Sequence, residues 1–258
     1  FFIKKIFKNI IEMKLGKYNF KLTSPTVMGI CNVTPDSFSD GGKSFKSLDA
    51  LKNIKEMVKN GASIIDIGAE STRPGSDPLT HKEEVKRLDP ILKKLPKNKF
   101  IISVDTNKIE TQEYALNMGA HIINDVFGGS EDLFFLTKKF KTGLILMHTP
   151  APPKTMQKKI HSYNNVVQDI KKIFLQKIKQ LEKIKIPSSK VWFDPGIGFG
   201  KNLKQNIEIM QKKIHSYNNV VQDIKKIFLQ KIKQLEKIKI PSSKVWFDPG
   251  IGFGKNLK

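Results

Sequence analysis

The chain has 258 residues, with 46 Lys or Arg against 24 Asp or Glu and a net charge of +22. That length suits a single α/β barrel. No apolar run reaches the roughly 20 residues of a membrane-spanning helix. Cys31 is the only cysteine, which excludes an intrachain disulfide framework and points to a reducing compartment, the cytoplasm or an organelle. Much of the lysine falls in helix-like segments such as 170–185 and reads as a solvated helix face rather than a nucleic-acid surface. A small anionic substrate gains from the same positive field. Neither nucleic acid nor membrane is expected as a partner.

Residues 1–25 read as an N-terminal extension. The opening Phe1-Phe2-Ile3-Lys4-Lys5 run lacks an initiator Met and is too charged for a secretory core. An amphipathic helix or the remainder of an incomplete N-terminus is expected, with a lost transit peptide as the alternative. Strands are then predicted near 26–33, 63–69, 100–105, 121–126, 143–148 and 191–194. Helices are predicted near 48–60, 82–95, 108–118, 131–140 and 164–185. Strands separated by amphipathic helices indicate a parallel sheet. A polar residue recurs at each strand's C-terminal end: Asn32, Glu70, Asp105, Asn124, His148 and Asp194. In parallel α/β folds ligands bind at that end, so the recurrence points to a site in a barrel mouth.

Five stretches carry the chemistry. An apolar strand runs into the loop Asn32-Val33-Thr34-Pro35-Asp36-Ser37-Phe38-Ser39-Asp40-Gly41-Gly42. The second stretch is Asp66-Ile67-Gly68-Ala69-Glu70-Ser71-Thr72-Arg73-Pro74-Gly75. The third is Ser103-Val104-Asp105-Thr106, the fourth Ile123-Asn124-Asp125, and the fifth Phe193-Asp194-Pro195-Gly196-Ile197-Gly198-Phe199-Gly200-Lys201. The last invites a phosphate-loop reading, but Asn202 follows the Lys where Ser or Thr is required. Between the fourth and fifth, Met147-His148 precedes Pro153-Lys154-Thr155-Met156-Gln157.

As a set, these stretches resemble dihydropteroate synthase, over about residues 26–209. The resemblance implies a TIM-type (β/α)8 barrel. It implies a transferase that joins p-aminobenzoate to (7,8-dihydropterin-6-yl)methyl diphosphate and releases pyrophosphate, in folate biosynthesis. By resemblance Asn32 holds the Mg2+ that accompanies the diphosphate, while Asp36, Ser37 and Phe38 belong to a loop that closes over the substrates. Thr72, Arg73 and Pro74 line the p-aminobenzoate side, and Thr72 also meets the diphosphate substrate. Asp105, Asn124 and Asp194 bind the pterin, with Met147 and Phe199 packing near it. Asn32, Arg73 and Asp105 are the expected catalytic residues. Asp125 reads as structural, and His148 as a packed strand-end histidine, with a general base as the alternative. A homodimer is the assembly that relatives suggest.

The C-terminal part departs from the family. Block 156–204 recurs without a change at 210–258. Repeat architectures show drift between units, so a solenoid is excluded in favour of a recent duplication or an assembly error. The family's S-R-K-S and R-x-H-D runs occur nowhere in the chain. The expectation is therefore a pterin-binding barrel over 26–209, its first six βα units, incomplete at the C-terminus and with little or no synthase activity. A methyltetrahydrofolate-type methyltransferase and a non-catalytic remnant stand as alternatives.

Overall fold

The computed structural model describes residues 10–23, 26–33, 43–70, 78–151 and 162–211. The chain divides into two compact units. The first comprises Phe1–Thr72, Ser76–His148 and Ile178–Asp194, and the second Arg73–Gly75, Thr149–Lys177 and Pro195–Lys258.

The first unit opens on an antiparallel hairpin, β1 (Ile10–Leu15) and β2 (Tyr18–Thr23). Ile10–Met13, the end of the run for which a helix was expected, is therefore strand, while residues 1–9 of that run lie outside the described residues. The apolar positions Met13, Leu15, Tyr18, Phe20 and Leu22 recur with a period of two, which suits a half-buried strand. Gly16 turns the chain at φ +58°, a conformation glycine adopts without steric cost.

Six parallel strands follow: β3 (Met28–Asn32), β4 (Ile64–Gly68), β5 (Ile101–Asp105), β6 (Ile122–Asp125), β7 (Gly143–Met147) and β8 (Val191–Asp194). They pair strictly in chain order. The helices between them are α1 (Lys43–Lys59), α2 (His81–Leu92), α3 (Ile109–Asn117), α4 (Glu131–Phe140) and α5 (Val166–Lys183). The six expected strands and five expected helices are thus present. Among the described residues the barrel does not close, and the stretch 245–248, which repeats the sequence of β8, lies outside them.

Local sequence explains the helix starts. Thr80 caps α2 in a reciprocal box: its Oγ1 accepts from the Glu83 N–H, and the Glu83 carboxylate accepts from the Thr80 N–H at 2.8 Å. Ser130 caps α4 by accepting from the Leu133 N–H. In the second unit, Asn202 and Gln205 exchange the same pair of bonds at the start of α6 (Leu203–Gln211), a helix the sequence reading omitted.

The two faces of the sheet carry different work. Ile65, Ile67, Ile102, Val104, Ile123, Leu144 and Leu146 face the helices and bury against Ile54, Leu88, Leu92, Leu116 and Leu133. Residues of opposite parity look the other way. Low on that face Ile101 and Ile122 pack against Leu15, Phe20 and Leu22, so the hairpin covers the N-terminal ends of the strands. Higher up, toward the C-terminal ends, the same face turns polar. Burying an apolar side chain contributes about 1.5–3 kcal/mol, so both ends of this pattern fix the register.

Candidate active site

Parity places the polar side chains of Asp66, Ser103, Asp105 and Asn124 on one face of three neighbouring strands. Asp66 pairs across the ladder with Ser103, Gly68 with Asp105, and Asp105 with Asn124. Neighbouring parallel strands lie about 4.8 Å apart, so these groups form one patch. Asp66 is 4% exposed, and its two oxygens are both engaged. Oδ1 accepts from the Ser103 hydroxyl at 2.5 Å and Oδ2 accepts from the Asn124 amide at 3.0 Å. Burial pushes the Asp66 carboxyl up, and the bonds from Ser103 and Asn124 pull against that shift. Asp105 is raised well above the usual carboxylate range, first by burial and then by the charges of Asp66, Asp125, Glu84 and Glu70.

At the end of β4, Gly68 leaves a cradle. A Cβ there would lie 3.0 Å from the Asn32 Oδ1 and 3.6 Å from the Asp105 Oδ2. Asn32, exposed at the end of β3, thus shares a hollow with the carboxylate of β5. On the far side Met147 and Asp194 close β7 and β8 as ladder partners; Met147 is buried and Asp194 exposed. His148 is buried, and its backbone N–H donates to the Asp194 carbonyl at 2.8 Å, consistent with a packed strand-end residue. Asp125 accepts from the Phe127 N–H and from Gln112, the structural role expected of it.

A second polar cluster sits beside the patch. Lys108 binds the Glu70 carboxylate, lies 3.1 Å from the Glu84 carboxylate, and Thr106 donates to the other Glu84 oxygen at 2.8 Å. Burial draws the Lys108 ammonium down, but Glu70 and Glu84 outweigh it and hold it above its ordinary value. Glu70 also accepts from the Leu79 N–H at 3.1 Å.

The structure therefore brings Asn32, Asp105 and Asn124 together at the strand ends and sets Met147 and Asp194 at the ends of the last two strands. Asp36, Ser37, Phe38, Thr72, Arg73 and Pro74 lie outside the described residues. Phe199 is half-buried in the second unit. In that unit the Lys201 ammonium donates to the Gly196 and Phe199 carbonyls at 2.7 and 3.0 Å. It stitches its own loop, which agrees with the dismissal of a phosphate loop. Sequence reasoning passed over Asp66, Lys108 and Glu84. For Asp66 a signal existed: an acid in the centre of Ile64-Ile65-Asp66-Ile67-Gly68, at the same parity as the strand-end site.

Comparison with known proteins decides the family. The profile described as pterin binding enzyme matches residues 28–216 and again 208–258, the second stretch falling on the unchanged copy. This chain belongs to the pterin-binding enzyme family. The dihydropteroate synthase of Escherichia coli K12 is 42% identical over 202 residues, covering 76% of this chain and 71% of that protein. The Yersinia pestis dihydropteroate synthase, solved with a sulfonamide drug, superposes with a TM-score of 0.70 at 36% identity, over 78% of this chain and 74% of that one. The Xanthomonas albilineans enzyme, solved with 4-aminobenzoic acid, superposes at 0.70 and 32% identity, over 78% and 71%. These likenesses bear out the TIM-barrel fold, the synthase reading and the transferase class for this pterin-binding enzyme. Among the described residues no helix is long and apolar enough to cross a membrane.

Proposed function

We propose that Asp105 and Asn124, with Asp66 held behind them, receive the dihydropterin of (7,8-dihydropterin-6-yl)methyl diphosphate, and that the enzyme joins its methylene carbon to the amine of p-aminobenzoate with release of pyrophosphate. The observation that carries this reading is the pair of half-buried acceptors, Asp105 and Asn124, on adjacent strand ends, with the buried Asp66 behind them. A pterin edge presents N–H donors, and carboxylates in a low-dielectric setting accept such bonds strongly. The same carboxylates favour positive charge as it develops on the pterin while diphosphate leaves. Asp105 and Asn124 orient the heterocycle, Met147 supplies apolar surface beneath it, and Asp194 meets its edge. Thr72, Arg73 and Pro74 serve the p-aminobenzoate, and Asp36, Ser37 and Phe38 shield the mouth from water.

The Asn32–Gly68 hollow suits Mg2+ held chiefly by phosphate oxygens and water, since one amide oxygen is a fitting single protein ligand for a hard cation. Such an ion supplies charge neutralisation for the departing diphosphate. Asn32 is the residue here that would hold it.

Titration calorimetry with the dihydropterin diphosphate tests the assignment. Asp105→Asn should weaken binding roughly 10- to 100-fold, the value of a hydrogen bond to a charged group. Unchanged affinity overturns it. Sulfonamide binding that depends on pterin and pyrophosphate separates a synthase, which takes p-aminobenzoate as a free second substrate, from a methyltransferase-type pocket, which takes it already joined to the pterin.

A further inference from the structure

Asn124 can present either end of its amide to a ligand, and the two ends read opposite partners. The neighbouring strand removes that freedom. Asp66, two residues before the end of β4, is fixed from below by the Ser103 hydroxyl at 2.5 Å and directs its other oxygen at the Asn124 Nδ2, 3.0 Å away. A carboxylate only accepts, so the amide nitrogen is drawn toward Asp66 and the carbonyl oxygen is turned away from it. Asp66 is 4% exposed and Ser103 fully buried, so the anchor is held by packing as well as by hydrogen bonds.

We infer that Asp66 is a positioning and specificity residue, which fixes the Asn124 amide so that its oxygen meets an N–H donor on the heterocycle. This rests on the pterin reading of the site. It deepens that reading by adding a residue that touches no substrate and by stating which hydrogen-bonding pattern the pocket selects. A heterocycle with an acceptor at that edge meets oxygen against oxygen and is rejected; such a mismatch discriminates more sharply than a missing contact.

A swap of the two side-chain chemistries tests it. In D66N the new amide keeps its oxygen on Ser103 and faces Asn124 with an N–H. The Asn124 amide then has to turn over, and the ligand meets a donor where an acceptor stood. In D66N/N124D the amide at position 66 donates to one carboxylate oxygen at position 124, and the other oxygen again faces the ligand. Titration of the full chain with the dihydropterin diphosphate should show about tenfold weaker binding for D66N and recovery to within about threefold for the double variant, in line with one polar contact inverted and restored. A merely structural Asp66 predicts two losses that add, and that result overturns the inference. Melting temperatures identify any variant that does not fold. For that case the unsubstituted chain gives its own readout. One Asn124 side-chain amide proton should resonate downfield and exchange slowly by NMR, whereas two equivalent, fast-exchanging protons overturn the inference. Absence of pterin binding by the unsubstituted chain overturns the site assignment itself, and this inference with it.

Discussion

Lys108 is the residue on which the acidic surroundings of Asp105 balance. Its ammonium serves Glu70 and Glu84 together, and the Glu84 side chain is only 1% exposed. Removing one partner of a buried pair leaves an uncompensated charge, which costs about 3–5 kcal/mol. Lys108→Met should therefore lower the unfolding free energy by about that amount in urea titration, although the side chain it removes is itself part-exposed. A loss under about 1 kcal/mol shows that water, rather than Lys108, compensates Glu84. The mutation should also push the Asp105 carboxyl further up, because the charges that raise it lose their counterion. Lys108 was invisible as a site residue in the sequence. It lies outside the strand-end positions by which site residues were sought, and its two partners are far away along the chain.

Among the elements, the β1–β2 hairpin meets the sheet through His121. The imidazole sits edge-on to Tyr18 and Phe20, with centroids 5.2 and 4.8 Å apart, and its Nδ1 accepts from the Ile102 N–H at 2.9 Å. Burial, and then the charge of Lys97, push its pKa down to about 4. A base depressed in the folded state binds its proton more readily when unfolded, so its contribution to stability is complete above about 6.5 and is lost as pH falls toward about 4. The melting temperature should fall across that window, and the fall should be shallower in His121→Gln. Equal slopes for the two proteins remove His121 as the cause. The alternating strands and helices were legible because each carries its own period. The hairpin was not, because its first strand adjoins a lysine-rich opening with the spacing of an amphipathic helix, and its alternation is completed only in β2. Asn202 was legible as the residue that breaks a phosphate-loop pattern, but its actual work, capping α6, becomes visible only with Gln205 in place.

At the scale of the molecule, the net charge of +22 and the need to gather a diphosphate belong together. Steering by a diffuse positive field weakens as salt shortens its range. Stopped-flow association of the dihydropterin diphosphate should slow several-fold between about 0.05 M and about 0.5 M NaCl, with a smaller change in dissociation. An association rate indifferent to salt assigns the basic balance to composition alone. The family and the strand-end site were readable because binding residues cluster in short contiguous motifs. What the motifs left out is the set of residues that hold those residues still. Asp66 and Ser103 act through ladder neighbours, and ladder register is a property of the folded sheet.

Cys31, the sole cysteine, ends up buried at the tip of β3 with its thiol pushed up to about 11 by burial. At neutral pH it is therefore almost wholly protonated and shielded from alkylating reagents. A single cysteine introduced on an exposed helix position can therefore accept a fluorophore or spin label without first stripping the protein of its own, so the surroundings of that chosen position are open to spectroscopy in the otherwise unaltered sequence.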